Sequence, residues 1–346
     1  MRHSDLVDFE SGRGEKRRKH RCVGEAFQRS SGSKDAEQDG AINFVRVLNG
    51  ASALPFQRLT VLNIYHHSRN HLNMSRLRLA VLDLYNGIPN QGMRCIRQIA
   101  ENFADQMDFD VFDVRAESKV PDMSYDIFIS SGGPGDPLDG EGEGGWEEAW
   151  HGWLDEVYQH NLTSGRKKYV FFICHSFQMA TQHFSLAEVG PRKSISFGTF
   201  PVHPTEFGEK DIIFEDLDDP FYAADFRRFQ ATQPNEEKLQ EIGAKVLCLE
   251  KIRPHIDLER AIMAIRWSPE IVGVQFHPEA DPEGMLAHFS CPEIKIEVIA
   301  DHGRDKWLQM MEDLTHPERI TRTHDEILPG FLRRAAEALM HPEAVV

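Results

Sequence analysis

No apolar run in this chain approaches the ~18 residues that a membrane-spanning helix requires, which rules out a helical span. Cysteine is scarce. Cys22, Cys95, Cys174, Cys248 and Cys291 are odd in number and widely spaced, with no CxxC pair and no zinc-like set. That usage reads as a reducing compartment, and the expected location is the cytoplasm. Positive charge is in deficit: 39 Lys/Arg face 55 Asp/Glu, a net charge of −16. Such a chain is a poor general binder of nucleic acid or of anionic membranes, and neither is expected as a partner. There is no GxxxxGK[ST] loop for a nucleotide and no internal repeat. Pro (18) and Gly (25) are ordinary in number, which excludes a fibrous or wholly disordered chain.

What is present is enough chain, 346 residues, for about two domains or one large α/β domain with extensions. The charge divides it. Residues 1–73 hold 12 Lys/Arg and 8 Asp/Glu, so the rest carries 27 against 47. The first segment contains the basic run Glu15–Arg21 and shows little apolar periodicity before Phe56–Tyr65. It is read as a disordered or non-native extension, ending just before Met74. Its eight acidic residues argue against a transit peptide, and its basic cluster reads as a solvated tail.

From Leu77 the pattern is one of strands alternating with helices. Leu77–Leu84, Asp110–Val114, Tyr125–Ser130 and Lys168–Ile173 read as buried strands, with helices at Gln91–Gln106 and Trp146–His160 between them. Shorter β segments follow at Ser194–Val202, Lys245–Leu249, Ala261–Trp267 and Ile271–Phe276. Residues 280–346 read as helical, with Pro317 and Pro329 as breaks. The fold expected is α/β, a mostly parallel central sheet flanked by helices. The domain division expected is 1–73, 74–290 and a helical extension at 291–346.

Three segments carry chemistry. Strand Tyr169–Ile173 runs straight into Cys174-His175-Ser176-Phe177-Gln178 and a helix. A sharp strand-to-helix turn exposes its central side chain and points the following backbone N–H groups at one spot, an arrangement suited to a nucleophile. Read alone, Cys174 serves equally as a small buried residue at a strand end. The second is Gly273-Val274-Gln275-Phe276-His277-Pro278-Glu279. Pro278 biases His277 toward extended backbone, which puts His277 and Glu279 on one side. A carboxylate that fixes an imidazole is the base-and-orienter pair that a thiol nucleophile needs. The third is the loop Ser130-Ser131-Gly132-Gly133-Pro134-Gly135, directly after a strand, whose bare backbone allows close approach of a substrate.

In this order the three segments resemble the class I glutamine amidotransferases, whose terminal Gly-Val-Gln-Phe-His-Pro-Glu is present without a change. The resemblance spans about residues 77–280 and is nearest to the glutaminase half of GMP synthase and similar stand-alone proteins. It implies a flavodoxin-like fold and amide hydrolysis of glutamine through a thioester. Cys174 is then the nucleophile, His277 the general base and acid, and Glu279 the orienting carboxylate. Gly133 and the His175 N–H are the implied oxyanion donors, and Gln178 helps hold the glutamine. The implied partners are glutamine or a γ-glutamyl compound and a separate synthase subunit that accepts ammonia. No cofactor and no metal are implied. An ATP pyrophosphatase half needs a Ser-Gly-Gly-x-Asp-Ser loop, and this chain has none.

Two elbow positions depart from the family's Gly-x-Cys-x-Gly-x-Gln: Phe172 and Ser176 stand for glycines. Phe172 is expected to crowd the elbow and reshape the pocket, which keeps γ-glutamyl peptidase or hydrolase activity and a non-catalytic regulatory module as rivals. Other patterns are set aside by context. Gly140–Gly145 satisfies GxGxxG but follows the third strand, and Asp136–Glu147 has a calcium loop's length with Leu138 in a ligand position. His66, His67 and His71 lie in the doubtful N-terminal segment. Trp146, Trp150 and Trp153, at helical spacing, read as core or loop anchor.

Overall fold

Alternate residues of the buried strands face opposite ways, and the chain uses this to build two cores from one sheet. Leu77, Leu79, Val81, Ile127, Ile129, Phe171, Ile173, Val272 and Val274 share one hydrophobic cluster. Ala80, Leu82, Phe128, Val170, Phe172 and Ile271 share the other. The computed structural model describes residues 76–138, 145–253, 255 and 258–341. All of these belong to one compact unit beginning at Arg76. The N-terminal segment, most of the GxGxxG stretch and the three histidines of residues 66–71 lie outside the described residues.

Among the described residues the nine strands are β1 (Leu77–Asp83), β2 (Met107–Asp113), β3 (Ile127–Ser130), β4 (Tyr169–Ile173), β5 (Glu188–Pro204), β6 (Phe221–Thr232), β7 (Lys245–Glu250), β8 (Ile262–Arg266) and β9 (Ile271–Val274). They form a single sheet in the order β2-β1-β3-β4-β9-β8-β6-β5-β7. The pairings β1–β2, β1–β3, β3–β4 and β4–β9 are parallel. Those from β8 outward, together with β8–β9, are antiparallel. The sheet is therefore mixed rather than mostly parallel. The difference lies in β5 and β6, a long antiparallel ribbon of which only Ser194–Val202 was expected. Their Phe, Arg, Asp and Gly residues lack the alternation that marks a strand, because several of the polar ones are buried in pairs. Asp225 and Arg227 are both buried and bonded to each other at 2.9 Å, and Ser196 donates to Asp225 at 2.7 Å.

Helices cover both faces. α1 (Gln91–Glu101) turns Met93, Ile96 and Ile99 onto the first core, its start capped by Asn90, which accepts from the Met93 N–H at 2.8 Å. A one-turn helix α2 (Val114–Glu117) follows β2. α3 (Trp146–Thr163) and α4 (His175–His183) cover the second core. Trp150 and Trp153 are buried there, whereas Trp146 is partly exposed. α5 (Glu236–Ile242) precedes β7. Four helices close the chain: α6 (Pro282–Ser290), α7 (Pro292–His302), α8 (Arg304–Thr315) and α9 (Ile320–Met340).

The last helix, α9, is integral to the core. Ile327, Leu328, Phe331, Leu332, Ala335 and Ala336 of α9 belong to the same cluster as β1, β3 and β4. Pro317 falls in the turn before α9, but Pro329 lies inside that helix and does not end it. A proline there forfeits one backbone hydrogen bond, and burial of its neighbours Leu328, Gly330, Phe331 and Leu332 offsets the loss. No helix among the described residues is long and apolar enough to cross a membrane.

Candidate active site

The carboxyl ends of β1, β3, β4 and β9 meet at one edge of the sheet, and the chain order turns back on itself between β1 and β3. Open α/β sheets bind ligands at such a crevice. A cavity of about 400 Å³ lies there. Its wall is formed by Tyr85 after β1, Gly133 and Pro134 after β3, Cys174 after β4, His277 and Glu279 after β9, and Phe226 from β6. α1 contributes Gly92, Arg94 and Cys95, and α6 contributes Met285, His288 and Phe289.

Cys174 is the turn between β4 and α4. Its backbone takes φ 49°, ψ −95°, a conformation that L-residues rarely adopt and that persists only where its surroundings impose it. Those surroundings are explicit. The Cys174 N–H donates to the Val274 carbonyl at 2.8 Å, and its own carbonyl accepts from the Gln178 N–H at 3.0 Å. Ser176 completes the clamp. Its buried hydroxyl accepts from the Ile173 N–H at 3.0 Å and donates to the Ser130 carbonyl at 2.7 Å, tying the elbow to β3. The hydroxyl at this position is thus a built part of the turn.

Phe172 does not crowd the elbow. It is wholly buried beneath the opposite face of the sheet, against Trp150 (ring centroids 5.8 Å) and Trp267 (5.6 Å). It takes no part in the cavity wall. The expectation that it reshapes the pocket is corrected by the packing: strand alternation sends Phe172 with Val170 into the second core, opposite Phe171 and Ile173, and the turn at Cys174 (φ 49°) breaks that alternation, so the thiol joins the first core instead.

His277 reaches the same cavity from the end of β9. Its N–H donates to the Ala224 carbonyl at 2.8 Å, which pins the segment to β6. Its Nδ1 lies 2.8 Å from Oε1 of Glu279, and it lines the same cavity as Cys174. Burial would lower the imidazole pKa, but the Glu279 carboxylate and Cys174 outweigh it and hold the pKa well above the usual histidine value. Glu279 is 1% exposed, and its second oxygen has no partner among the described residues. From the C-terminal helix α9, His324 donates to the Glu279 carbonyl at 3.2 Å.

The glycine loop fits around this group. A Cβ at Gly132 would come within 2.9 Å of the His277 ring and 3.0 Å of the Tyr85 hydroxyl. At Gly133 it would meet the Leu84 carbonyl at 2.7 Å. Ser131 keeps the loop in place, its hydroxyl accepting from the Leu84 N–H at 3.0 Å.

One residue sits elsewhere than expected. Gln178 does not line the cavity; it is buried behind the thiol and donates to Gln275 at 2.9 Å. Gln275 in turn places its amide 3.7 Å from the Cys174 sulfur. The His175 side chain is buried, and its Nε2 lies 2.7 Å from Arg115 Nη2. Burial, then the Arg115 charge, lowers its pKa to about 3, so the ring is neutral and supplies no charge to the thiol. Its backbone N–H, at the first position of α4, has no acceptor within that helix.

Sequence reasoning did not single out Tyr85, Cys95 or Phe226 as site residues. Tyr85 follows an apolar strand and Cys95 lies on the inward face of a helix, so each pattern is filled by ordinary packing. Both are pushed upward in pKa, first by burial, Cys95 to about 11. Among the described residues no group of three or more His, Cys, Asp or Glu is placed to hold a metal ion.

The family model described as glutamine amidotransferase class-I matches residues 80–289. A glutamine amidotransferase from Thermotoga maritima superposes with a TM-score of 0.55 at 16% identity, covering 76% of this chain and 99% of its own. The structure of SMU.1228c gives a TM-score of 0.52 at 19% identity, covering 75% and 99%. The glutaminase domain of a Trypanosoma brucei CTPS, solved with bound acivicin, gives 0.44 at 15% identity, covering 65% and 93%. None of the curated proteins matches this chain.

Proposed function

The chain belongs to the class I glutamine amidotransferase family, and from that premise and the geometry of the cavity we propose that it hydrolyses the side-chain amide of glutamine through a thioester on Cys174. The observation that carries the reading is the meeting of three groups in one cavity: a thiol on a strained elbow, an imidazole beside it, and a buried carboxylate 2.8 Å from Nδ1 of that ring.

The steps follow from these positions. Cys174 gives its proton to His277, and the sulfur attacks the amide carbon, moving the carbonyl electrons onto oxygen. Glu279 keeps the His277 Nδ1–H directed at itself and offsets the charge that the ring acquires. The N–H groups of Gly133 and His175 stabilise the oxyanion. His277 then returns the proton to the nitrogen, the C–N bond breaks and ammonia departs. Water, deprotonated by the same imidazole, cleaves the thioester to glutamate. The ammonia is passed to a separate acceptor enzyme or released.

The γ-glutamyl peptidase reading had its motive in Phe172 and Ser176. With Phe172 in the second core and Ser176 serving the turn, that motive is gone. A reactive glutamine analogue tests the proposal: it should add covalently to Cys174, seen as one mass increment on that peptide, and excess glutamine should protect. No labelling, or labelling that glutamine does not slow, contradicts it.

A further inference from the structure

Arg115 belongs to no step above, yet its guanidinium is inserted between the two segments that carry the oxyanion donors. It projects from the one-turn helix α2. Nη2 lies 2.7 Å from His175 Nε2 and would lie 3.3 Å from a Cβ at Gly133, while Nη1 would lie 3.6 Å from one at Gly135. The guanidinium carbon sits 4.4 Å over the Trp146 ring, which is itself 6.3 Å from the His175 ring. No ion pair among the described residues includes Arg115, and its Nε is buried without a partner. A half-buried cation with an orphaned donor is costly, and among the described residues no carboxylate pairs with it directly, the charge of Glu147 offsetting the burial only in part.

We propose that Arg115 is a positioning residue for the oxyanion site, locking the Gly133 and His175 peptides relative to each other and adding its positive potential behind them. The inference rests on the proposed glutamine chemistry. Its local argument is independent of that. An arginine only donates, so His175 Nε2 accepts and its proton resides on Nδ1. The tautomer and ring orientation are thereby fixed, and with them the first peptide of α4. On the other side the planar group lies against loop backbone at a point where any side chain on Gly133 would intrude on it. The cation of this region is thus Arg115 and not the neutral histidine beside the nucleophile. Donors already aimed at the place where charge develops act on the transition state and not on bound substrate.

The test compares wild type with Arg115→Ala, Arg115→Lys, His175→Ala and the double variant Arg115→Ala/His175→Ala. Removal of a whole oxyanion donor lowers kcat by about 10²–10³; misplacement should lower it by about tenfold or more in Arg115→Ala. KM for glutamine should stay within about threefold, since ground-state binding is not at stake. The rate at which iodoacetamide alkylates Cys174 should be unchanged, because the thiol–imidazole pair is intact. Arg115→Lys, which keeps the charge and one donor, should recover part of kcat. The double variant should lose no more than Arg115→Ala alone, as the two side chains act as a unit. Unchanged kcat in Arg115→Ala with an active wild type overturns this inference alone. Parallel losses of kcat, alkylation rate and melting temperature assign Arg115 a merely structural role and also overturn it. A wild type inert toward glutamine overturns the proposed function and this inference with it.

Discussion

Phe172 and Gly273 are direct partners on adjacent parallel strands, and a Cβ on Gly273 would come within 2.8 Å of the Phe172 Cβ. The aromatic ring that replaces an elbow glycine is accommodated by a glycine one strand away. A substitution that looked like an obstacle at the active site is a packing exchange beneath it.

From this follows the opposite of the sequence-based expectation for Phe172. Phe172→Ala should destabilise the protein by about 3–5 kcal/mol, as for a core phenylalanine truncation. It should leave kcat/KM for glutamine unimproved at temperatures where the protein remains folded. Denaturant unfolding and steady-state kinetics check the two parts, and a gain in turnover would return Phe172 to the elbow.

Gly273→Ala should be destabilising for the same reason from the other side. The added methyl meets the Phe172 backbone carbonyl at 3.2 Å as well as its side chain, so neither partner can move freely. Overpacking of this kind costs about 1–3 kcal/mol. The paired variant Phe172→Ala/Gly273→Ala should lose less than the sum of the two, which a double-mutant cycle of unfolding energies reads directly.

Ser176 is expected to be a stability determinant. Its hydroxyl satisfies the Ile173 N–H and the Ser130 carbonyl, both buried. Ser176→Ala orphans them, at about 1–3 kcal/mol. Ser176→Gly should be at least as costly despite restoring the family residue. A melting temperature equal to the wild type's would contradict this.

Histidine titration gives a pH signature. Burial, then the charge of His183, lowers the His151 pKa to about 4. Between the unfolded value near 6.5 and about 4 the unfolded chain binds a proton that the folded chain refuses, so this group removes stability as pH falls. His151→Phe should therefore show a smaller drop in melting temperature from pH 7 to pH 5 than the wild type. His277 works in the opposite sense. Its raised pKa contributes stability that is fully present below the unfolded value and is lost as pH rises through the folded one. Glu279→Gln should accordingly shift the His277 titration to lower pH and reduce kcat, but by less than Cys174→Ala does, since the carboxylate orients without exchanging protons. A loss as complete as that of Cys174→Ala in a folded variant would contradict the orienting role.

The parts of this molecule legible in the sequence are those with a strong local signature. Strand Tyr169–Ile173 followed at once by a helix dictates an elbow, and Pro278 dictates the extended segment that brings His277 beside Glu279. Less legible was everything decided by distant partners. β5 and β6 run 17 and 12 residues, but their hydrophobic pattern is interrupted by Asp225 and Arg227, which are buried as a pair, with Ser196 and Glu250 as further partners. Pro329 reads as a break, yet tertiary packing of α9 carries the helix through it. Gln178 and His175 were assigned by position within the motif, whereas their side chains are taken up by Gln275 and Arg115, far off in sequence. Tyr85 and Cys95 gave no signal, since their own segments need an apolar residue there in any case.

The central claim is that Cys174 performs amide hydrolysis, and ammonia release from glutamine tests it most directly. Wild-type protein should release ammonia and glutamate in equal amounts, and Cys174→Ala, folded with an unchanged melting temperature, should release none above the uncatalysed background. Ammonia release that persists in Cys174→Ala, or a folded wild type that releases none, would contradict the account.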